Sequence, residues 1–363
     1  MEQKPVRLMI PGPVDVDDEV LAVLSHPVMA HYGRDWLNVY DETIDRLKQV
    51  FGTDHDVFLM PGPGTAALDA AIGSMVRTGE TIVVAQNGFF GRRLATVAAG
   101  YGLEVRTVDA PTGQPLDPDV MRQVLSRTPQ AQALVVVHLE TSTGVLNPVH
   151  DMALIAAEYG VPLILDAVSS LGGVPLPVDE WGVDVCVTVS NKCLASPPGL
   201  APISISPRAW RQVEQKGARA HGWYQDLAVW KEYAIHWADW HPYPTTLPTH
   251  TILALLVSLR QILGQGLPAY YERHATAARH VRSTLASWGF SMFTAEPFTS
   301  PLITAMYGPP GLDLEAYRRY LLEERQIMIS GGLDDLHGKI VRVGHIGRAA
   351  GPDYVDAFLQ ATY

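Results

Sequence analysis

Two residues, Asp166 and Lys192, have types and positions that point directly to chemistry. Asp166 ends the apolar run Val161–Asp166, and Lys192 follows a second apolar run, Val183–Ser190. An amine can form a Schiff base with the aldehyde of pyridoxal 5′-phosphate, and a carboxylate can pair with the ring nitrogen of the same cofactor. The pair therefore predicts a pyridoxal phosphate site with Lys192 and Asp166 as its catalytic residues.

A glycine-containing segment, MPGPGTAALDA, follows the predicted strand Asp56–Met60 and resembles a phosphate-binding turn. A glycine such as Gly64 lets the backbone approach an anion, and Thr65 can cap the helix that follows. A Gly-Pro turn into a helix is common, so this segment alone is a weak indication of a phosphate site and becomes significant only together with Lys192. We predict cofactor contacts from Pro63, Gly64 and Thr65, and a phosphate donor in Asn191.

Four further side chains suit the rest of such a site. Val168 would press on one face of the cofactor ring, and Phe90, in NGFFGRR, would stack on the other, with core packing as its alternative role. Thr141, in HLETSTG, could bind the phenolic oxygen of the cofactor. Arg342, in KIVRVGHIG, could form a bidentate pair with the carboxylate of an amino acid or 2-oxo acid.

Apolar runs and helical patterns alternate between residues 55 and 206. Strands are predicted at Asp56–Met60, Thr81–Ala85, Glu104–Val108, Ala133–His138, Pro162–Asp166, Val183–Val189 and Pro202–Ser206. Helices are predicted at Thr65–Val76, Gly91–Gly100 and Asp151–Gly160. Continuous apolar runs fit strands that are buried on both faces of a mainly parallel sheet. The chain is therefore predicted to have an α/β fold with a doubly wound sheet, which binds ligands at the carboxyl ends of its strands.

The pattern changes in the last third of the chain. Residues 207–248 are aromatic and are predicted to be irregular, and a long helix is predicted to begin near Pro248. A smaller α+β domain follows, with predicted elements at Pro301–Met306, Leu314–Arg325 and Lys339–Val343. We assign residues 1–250 to a large cofactor-binding domain whose N-terminal segment lines the substrate entrance, and residues 251–363 to a linking helix and the small domain.

Composition excludes several classes of protein. The 363 residues carry a net charge of −11, which argues against a nucleic acid or an anionic membrane as partner. Two cysteines are too few for a disulfide framework and indicate a reducing compartment. The start of the chain lacks a signal-peptide pattern, and the apolar stretch Thr251–Leu259 is too short to span a membrane. We therefore expect a cytoplasmic protein, and no metal site is predicted.

Motifs along nearly the whole chain resemble those of class V, fold type I pyridoxal-phosphate aminotransferases, in particular the alanine/serine–glyoxylate group. They are PGPVDVDDEVL, GPGTAALDA, NGFFG, ETSTGVLNP, DAVSSLGG, SNKCLASPPGLA, YPTT and GKIVRVGHIG. The resemblance implies Lys192 as the Schiff-base lysine and Asp166 as the partner of the ring nitrogen. It also implies phosphate contacts at Gly64, Thr65 and Asn191, ring stacking at Phe90 and carboxylate binding at Arg342.

The resemblance further implies a homodimer with shared active sites. In this family, residues at the positions of Tyr243 and Thr246 contact the phosphate of the neighbouring subunit. Both residues, in HPYPTTLPT, lie just before a predicted helix and carry the hydroxyls that a phosphate needs.

Some positions depart from the common pattern of the family. Asn191 stands where glutamine is usual, and the segment His31–Arg34 replaces a common His-Arg pair. The motif NKCL and Tyr32, a predicted substrate contact, resemble pyridoxamine–pyruvate aminotransferases, which act on free pyridoxamine. That subfamily, however, carries a glutamate at the position of Pro63 and an arginine at that of Leu333.

We therefore expect an aminotransferase that moves an amino group from a small amino acid, of the alanine or serine type, to glyoxylate or pyruvate by a ping-pong mechanism. One alternative is pyridoxamine–pyruvate transamination. Another is a lyase or a carbon–carbon bond-forming enzyme, because a shared fold does not fix the reaction.

Overall fold

A mainly parallel sheet forms the centre of the molecule in the computed structural model, which describes residues 6–216 and 222–363. In this described part, the larger sheet has seven strands, in the order Asp56–Pro61, Leu200–Ile205, Val185–Val187, Leu163–Asp166, Leu134–Val137, Thr81–Gln86 and Glu104–Asp109. Only Leu200–Ile205 runs antiparallel to its neighbours among these strands. The predicted α/β fold is therefore confirmed.

The central strands are built from residues that favour this sheet. Every residue of Leu134–Val137, Leu163–Asp166 and Val185–Val187 is buried. Branched Val and Ile side chains restrict the backbone to extended conformations and fill the space on both faces of a covered sheet. The strands consequently bring the ends of several loops to one edge.

Helices surround the sheets and alternate with the strands. Their bounds are Asp18–Ala22, Arg34–Phe51, Gly64–Met75, Phe89–Gly100, Pro118–Ser126, Val149–Glu158, Pro207–Lys216, Leu227–His236, Thr249–Gln265, Leu267–Ser287, Leu314–Arg325 and Pro352–Thr362, with short 3-10 turns at Val23–Ser25, Asp334–Leu336 and Gly347–Ala350. Among the described residues no single helix is long and apolar enough to cross a membrane. Thr249–Gln265 and Leu267–Ser287 meet that criterion only together, as a pair bent by 88°.

The segment that the sequence predicts to be irregular contains two helices, Pro207–Lys216 and Leu227–His236, so that prediction is wrong; its residues 217–221 lie outside the described part. The carboxylate of Asp226 caps the second helix by accepting a hydrogen bond of 3.0 Å from the backbone N–H of Ala228. Trp230 is fully buried, because this helix packs Leu227, Val229 and Trp230 into the core.

A smaller antiparallel sheet lies in the C-terminal third, with the strand order Ser291–Met292, Ile303–Tyr307, Val341–Gly344 and Ser330–Gly331 in the described residues. Two short pairs of strands complete the fold: Arg7–Leu8 with Ile327–Met328, and Leu139–Glu140 with Val145–Leu146. Met9 also packs into the hydrophobic cluster of the smaller sheet. The first described residues therefore pack with the C-terminal part, although the predicted division assigns them to the large domain. The domain bounds stay a prediction.

Candidate active site

Asp166 and Lys192 lie at the same edge of the larger sheet. Asp166 ends the strand Leu163–Asp166 and pairs in register with Val187, the last residue of the neighbouring parallel strand. Lys192 follows that neighbouring strand after a short turn. Because the carboxyl ends of parallel strands meet at one edge, the fold brings the two predicted catalytic residues together.

The amine of Lys192 is held by a hydroxyl. Its Nζ donates a hydrogen bond of 2.7 Å to Oγ of Ser169, and it lies 5.9 Å from the centre of the Phe90 ring. The absence of a side chain at Gly12 makes room for the lysine, since a Cβ there would lie 3.0 Å from its Cγ and Cε. Burial lowers the pKa of Lys192 to about 8, although the negative charge of Asp166 opposes the shift. A substantial neutral fraction near pH 8 makes this amine a nucleophile.

The carboxylate of Asp166 is buried, and its Oδ1 accepts a hydrogen bond of 3.0 Å from the backbone N–H of Val168. Burial raises the pKa of Asp166 to about 6, against the opposing effects of the Val168 N–H and of the positive charges of Lys192 and Arg93. The group is therefore mostly ionised at neutral pH and can stabilise a positive charge beside it.

The helix Gly64–Met75 begins beside Val168. A Cβ at Gly64 would lie 2.5 Å from Cγ2 of Val168, so only glycine allows this close approach. Pro63, before the helix, is exposed and provides no side-chain cap, and the first turn contains no acidic residue. The hydroxyl of Thr65 and the amide of Asn191 have no hydrogen-bond partner within the described chain. These groups can together hold an anion such as a phosphate.

Phe90 lies at the start of the helix Phe89–Gly100. The backbone N–H groups of Phe90 and Gly91 donate to Oε2 of Glu140 at 3.0 and 3.2 Å. The guanidinium of Arg93 lies 4.9 Å from the centre of the Phe90 ring. The position of Phe90 close to Lys192 is therefore fixed by the hydrogen bond of its backbone N–H and by the cation–π contact of its ring.

Arg342, on the strand Val341–Gly344, is buried and 6% exposed. Its Nη1 donates a hydrogen bond of 2.9 Å to the carbonyl of Thr141, and its Nε donates one of 2.8 Å to the carbonyl of Gly331. Burial lowers the pKa of Arg342 to about 10, so it stays charged at neutral pH. In the described part of the chain, Nη2 of Arg342 and the hydroxyl of Thr141 have no protein partner, which leaves them available to a small molecule.

Three predicted site residues, Tyr32, Tyr243 and Thr246, lie apart from this group in the single chain. Tyr243 is buried, and its hydroxyl accepts a hydrogen bond of 2.6 Å from Nε1 of Trp36 and donates to the carbonyl of His31. Thr246 is exposed, and Tyr32 is 49% exposed. Within the described residues, none of the three makes a hydrogen bond or ring contact with the groups around Lys192.

The sequence interpretation missed three residues of the site: Gly12, Glu140 and Ser169. Ser169 lies directly after Val168 in DAVSS, and Glu140 is a carboxylate at the end of a buried run in HLETSTG, so both had a visible signal. Gly12, in the segment PGP, gave no sign of its contact with Lys192, because that contact depends on the folding of the N-terminal segment across the site.

Comparisons with known proteins identify the family of the chain. The family model described as aminotransferase class-V matches residues 20–343. An uncharacterized aminotransferase of Methanocaldococcus jannaschii is 36% identical over 94% of this chain and 87% of its own length. The crystal structure of an alanine–glyoxylate aminotransferase from Nostoc sp. matches with a TM-score of 0.94 and 32% identity, over 100% of this chain and 95% of that one. A pyridoxamine–pyruvate transaminase of Mesorhizobium japonicum is 28% identical over 98% of this chain and 90% of its own.

The fold and the strand-end lysine and aspartate define an α/β enzyme of the pyridoxal-phosphate type. The chain belongs to the class V aminotransferases, and the predicted family and transaminase activity are confirmed.

Proposed function

We propose that this aminotransferase moves an amino group from a small amino acid to glyoxylate or pyruvate, with pyridoxal 5′-phosphate held by Lys192. The observation that carries the proposal is the placement of the Lys192 amine and the Asp166 carboxylate at the carboxyl ends of neighbouring parallel strands. The relative from Nostoc sp., an alanine–glyoxylate aminotransferase by name, supports the choice of substrates.

Lys192 has two roles in this proposal. Its amine, neutral in a substantial fraction near pH 8, is the group that attaches the cofactor. With the cofactor bound, the freed Nζ would act as the general base that takes the proton from the α-carbon of the substrate, and as the acid that gives it back. Ser169, which accepts a hydrogen bond from Nζ, holds the freed amine in place.

The remaining groups bind and orient. Pyridoxal phosphate, when bound, supplies an electron sink for the α-carbon of the substrate. Asp166 would stabilise the positive charge on the ring nitrogen that this chemistry needs, and Phe90 and Val168 would hold the ring from its two faces. The hydroxyl of Thr141 would donate to the phenolic oxygen. The phosphate would be bound by backbone N–H groups at the start of the helix, where Gly64 lies, and by the side chains of Thr65 and Asn191.

Arg342 binds the carboxylate that amino acids and 2-oxo acids share. Its buried, charged guanidinium is anchored at Nη1 and Nε by backbone carbonyls, and its Nη2 points to no protein acceptor in the described chain. An anchored arginine can present a fixed donor to a carboxylate at little cost in side-chain entropy. Tyr32 would line the substrate entrance.

We also propose a homodimer with shared sites. Tyr32, Trp223, Trp237 and Trp240 are each at least 39% exposed, and Trp237 stacks on Trp240, which forms an apolar surface suited to a second copy of the chain. Thr246 is exposed and could reach a phosphate in the neighbouring subunit. Tyr243 could reach that phosphate only if its hydroxyl first broke its hydrogen bonds with Trp36 and His31 of its own chain.

A reducing, cytoplasmic location and small-molecule partners complete the proposal. Cys186 and Cys193 are both free and buried, which suits a reducing compartment. The net charge of −11 disfavours nucleic acid as a partner.

A half-reaction tests the proposed activity. The purified protein, loaded with pyridoxal phosphate, is mixed with single amino acids, and the loss of its visible absorbance is followed together with the oxo acid formed. We expect alanine or serine to convert the cofactor fastest. Failure of every amino acid would contradict the proposal.

Pyridoxamine–pyruvate transamination is the second candidate, because a relative of that name covers 98% of the chain. Pro63 and Leu333, where that subfamily carries glutamate and arginine, argue against it. A colourless protein that converts free pyridoxamine with pyruvate, and does not retain pyridoxal phosphate, would favour this second activity.

A further inference from the structure

Glu140 is a fully buried carboxylate that the proposed chemistry does not use. Its Oε2 accepts the backbone N–H groups of Phe90 and Gly91 at 3.0 and 3.2 Å, and its Oε1 accepts the backbone N–H of Ser142 at 3.1 Å and the hydroxyl of the same serine. Both oxygens are therefore occupied by donors of the protein, and one carboxylate replaces the missing cap of the helix that carries Phe90.

Thr141, the residue after Glu140, contacts Arg342, the proposed substrate-binding arginine. The carbonyl of Thr141 accepts the hydrogen bond from Nη1 of Arg342. The carbonyl of Glu140 accepts the N–H groups of Thr143 and Gly144, which closes a tight turn around Thr141. The turn therefore fixes the position of the Thr141 carbonyl, and the side chain of Glu140 anchors this turn.

The space around Glu140 is also very tight. A Cβ at Gly88 would lie 2.4 Å from the carboxyl carbon of Glu140, so only glycine at this position leaves room for the carboxylate beneath the helix. The negative charge of Glu140 raises the pKa of Asp166, Lys192 and Arg342 alike, although burial is the largest effect in each. The carboxylate therefore lies close enough to all three groups to act on them electrostatically.

We propose that Glu140 is a positioning residue, which sets the Phe90 ring through its backbone and the Arg342 guanidinium through Thr141. One buried group thus fixes the position of the Phe90 ring, which stacks on the cofactor, relative to the Arg342 guanidinium, which binds the carboxylate of the substrate. The inference rests on the proposed function, because Phe90 and Arg342 have these roles only in an aminotransferase of this type.

Asp184 provides a matched control. It is equally a buried carboxylate, with hydrogen bonds from the backbone N–H of Leu163, the hydroxyl of Ser206 and the guanidinium of Arg208. It precedes the strand Val185–Val187 and so lies at the amino end, away from the catalytic edge. The Asp184→Asn variant therefore measures the effect of losing a buried carboxylate that lies away from the site.

The experiment compares Glu140→Gln, Asp184→Asn and the wild type after loading with pyridoxal phosphate. It measures the dissociation constant of propionate, a carboxylate without an amine, and the circular dichroism of the bound cofactor in its visible band. It also measures KM and kcat, and the melting temperature. A glutamine side chain presents one acceptor and one donor where Glu140 meets only donors, so either the helix or the turn loses its anchor.

For Glu140→Gln we expect the dissociation constant of propionate and KM for both substrates to rise roughly tenfold or more, the effect of losing one hydrogen bond to a charged group. The visible circular dichroism should change and kcat should fall much less. Asp184→Asn should lower the melting temperature and leave the other readouts near wild type. If Glu140→Gln fails to fold, Ser142→Ala, which removes one donor to Glu140, should show the same direction of change.

The outcomes separate the two levels of the argument. A wild type that no amino acid converts would overturn the proposed function, and this inference with it. A wild type that is active, beside a Glu140→Gln variant that behaves like Asp184→Asn, would overturn the positioning role alone. If Glu140→Gln does not fold and Ser142→Ala binds propionate as tightly as the wild type, the positioning role is overturned as well.

Discussion

Nζ of Lys192 lies 2.7 Å from Oγ of Ser169, the third residue after Asp166. The loop that follows the aspartate therefore also holds the lysine, and a direct side-chain hydrogen bond connects the loops after the two strands. Ser170, the next residue, is fully buried, but its hydroxyl has no hydrogen-bond partner. Two adjacent serines thus have different environments, and the difference can be tested.

Ser169→Ala should lower the rate of the half-reaction roughly tenfold or more and leave cofactor retention intact, because the freed amine of Lys192 loses the acceptor that orients it. Loss of one such bond to a charged group costs about 1.5–3 kcal/mol. Stopped-flow absorbance with saturating alanine measures the rate. Ser170→Ala is the control and should react like the wild type; equal rates in the two variants would mean that Ser169 has no positioning role.

Lys192 should show its low pKa in the rate at which the apo-protein attaches the cofactor. Only the neutral amine attacks, and burial lowers the pKa of Lys192 to about 8. The rate should therefore rise about tenfold per pH unit below 8 and level off above it. Asp166→Asn removes a charge that raises this pKa, so its midpoint should move to lower pH. Lys192→Ala should not attach the cofactor at any pH, and attachment by that variant would remove the central claim.

Asp166 should link cofactor affinity to pH. Its pKa is raised to about 6, so the carboxyl becomes protonated as the pH falls through 6 and can no longer stabilise a positive ring nitrogen. We expect the dissociation constant of pyridoxal phosphate to increase below pH 6 in the wild type. Because the phosphate also titrates in this range, the comparison with Asp166→Asn isolates the contribution of the carboxyl. If both proteins lost affinity in parallel, Asp166 would not contact the ring.

The sequence predicts the strands, and the placement of Asp166 and Lys192 at the ends of two of them, because both depend on local pattern. Continuous runs such as Leu134–Val137 identify a buried strand, and a lysine or aspartate at the end of one falls at the binding edge. Contacts between distant residues are different. The bond from Trp36 to Tyr243 joins residues 207 positions apart, and no local spacing indicates that it occupies the hydroxyl proposed to bind phosphate.

The aromatic segment after Leu200–Ile205 shows the same limit. Its tryptophans suggest irregular structure by composition, yet Trp230 is fully buried and its Nε1 donates a hydrogen bond of 2.8 Å to the carbonyl of Tyr224. The helix Leu227–His236 buries Leu227, Val229 and Trp230 but exposes Ile235, so it has no simple polar–apolar period. Tertiary packing, not local preference, decides the structure of this segment.

Arg342→Ala should mainly raise KM for both amino and oxo acids. The carboxylate loses a charged hydrogen-bonding partner, which costs about 1.5–3 kcal/mol, or roughly 10–150-fold in affinity. Steady-state kinetics with each substrate varied in turn measures the effect. Arg318, on the neighbouring helix, bonds to Glu315 and to the carbonyl of Ile329, so Arg318→Ala controls for loss of an arginine in the same region. An effect on the amino donor alone would mean that Arg342 contacts a side chain of that substrate.

Thr246 should complete the site of the neighbouring subunit, and mixed dimers can show this. Thr246→Ala should weaken cofactor retention, whereas Lys192→Ala should abolish turnover. In a mixed dimer with shared sites, one site carries both changes and the other carries neither, so activity should return at limiting cofactor concentration. Cofactor affinity should then also depend on protein concentration, because dimer formation completes the site.

The control for this experiment is Thr245→Ala, which removes a hydroxyl from the adjacent, half-buried residue and should retain cofactor like the wild type. Subunit exchange is checked by native mass spectrometry of the mixture. If Thr246 acted within its own chain, every mixed dimer would hold one site without the lysine and one without the threonine. Activity at limiting cofactor would then stay at the level of the Thr246→Ala protein despite complete exchange, and the shared-site proposal would be wrong.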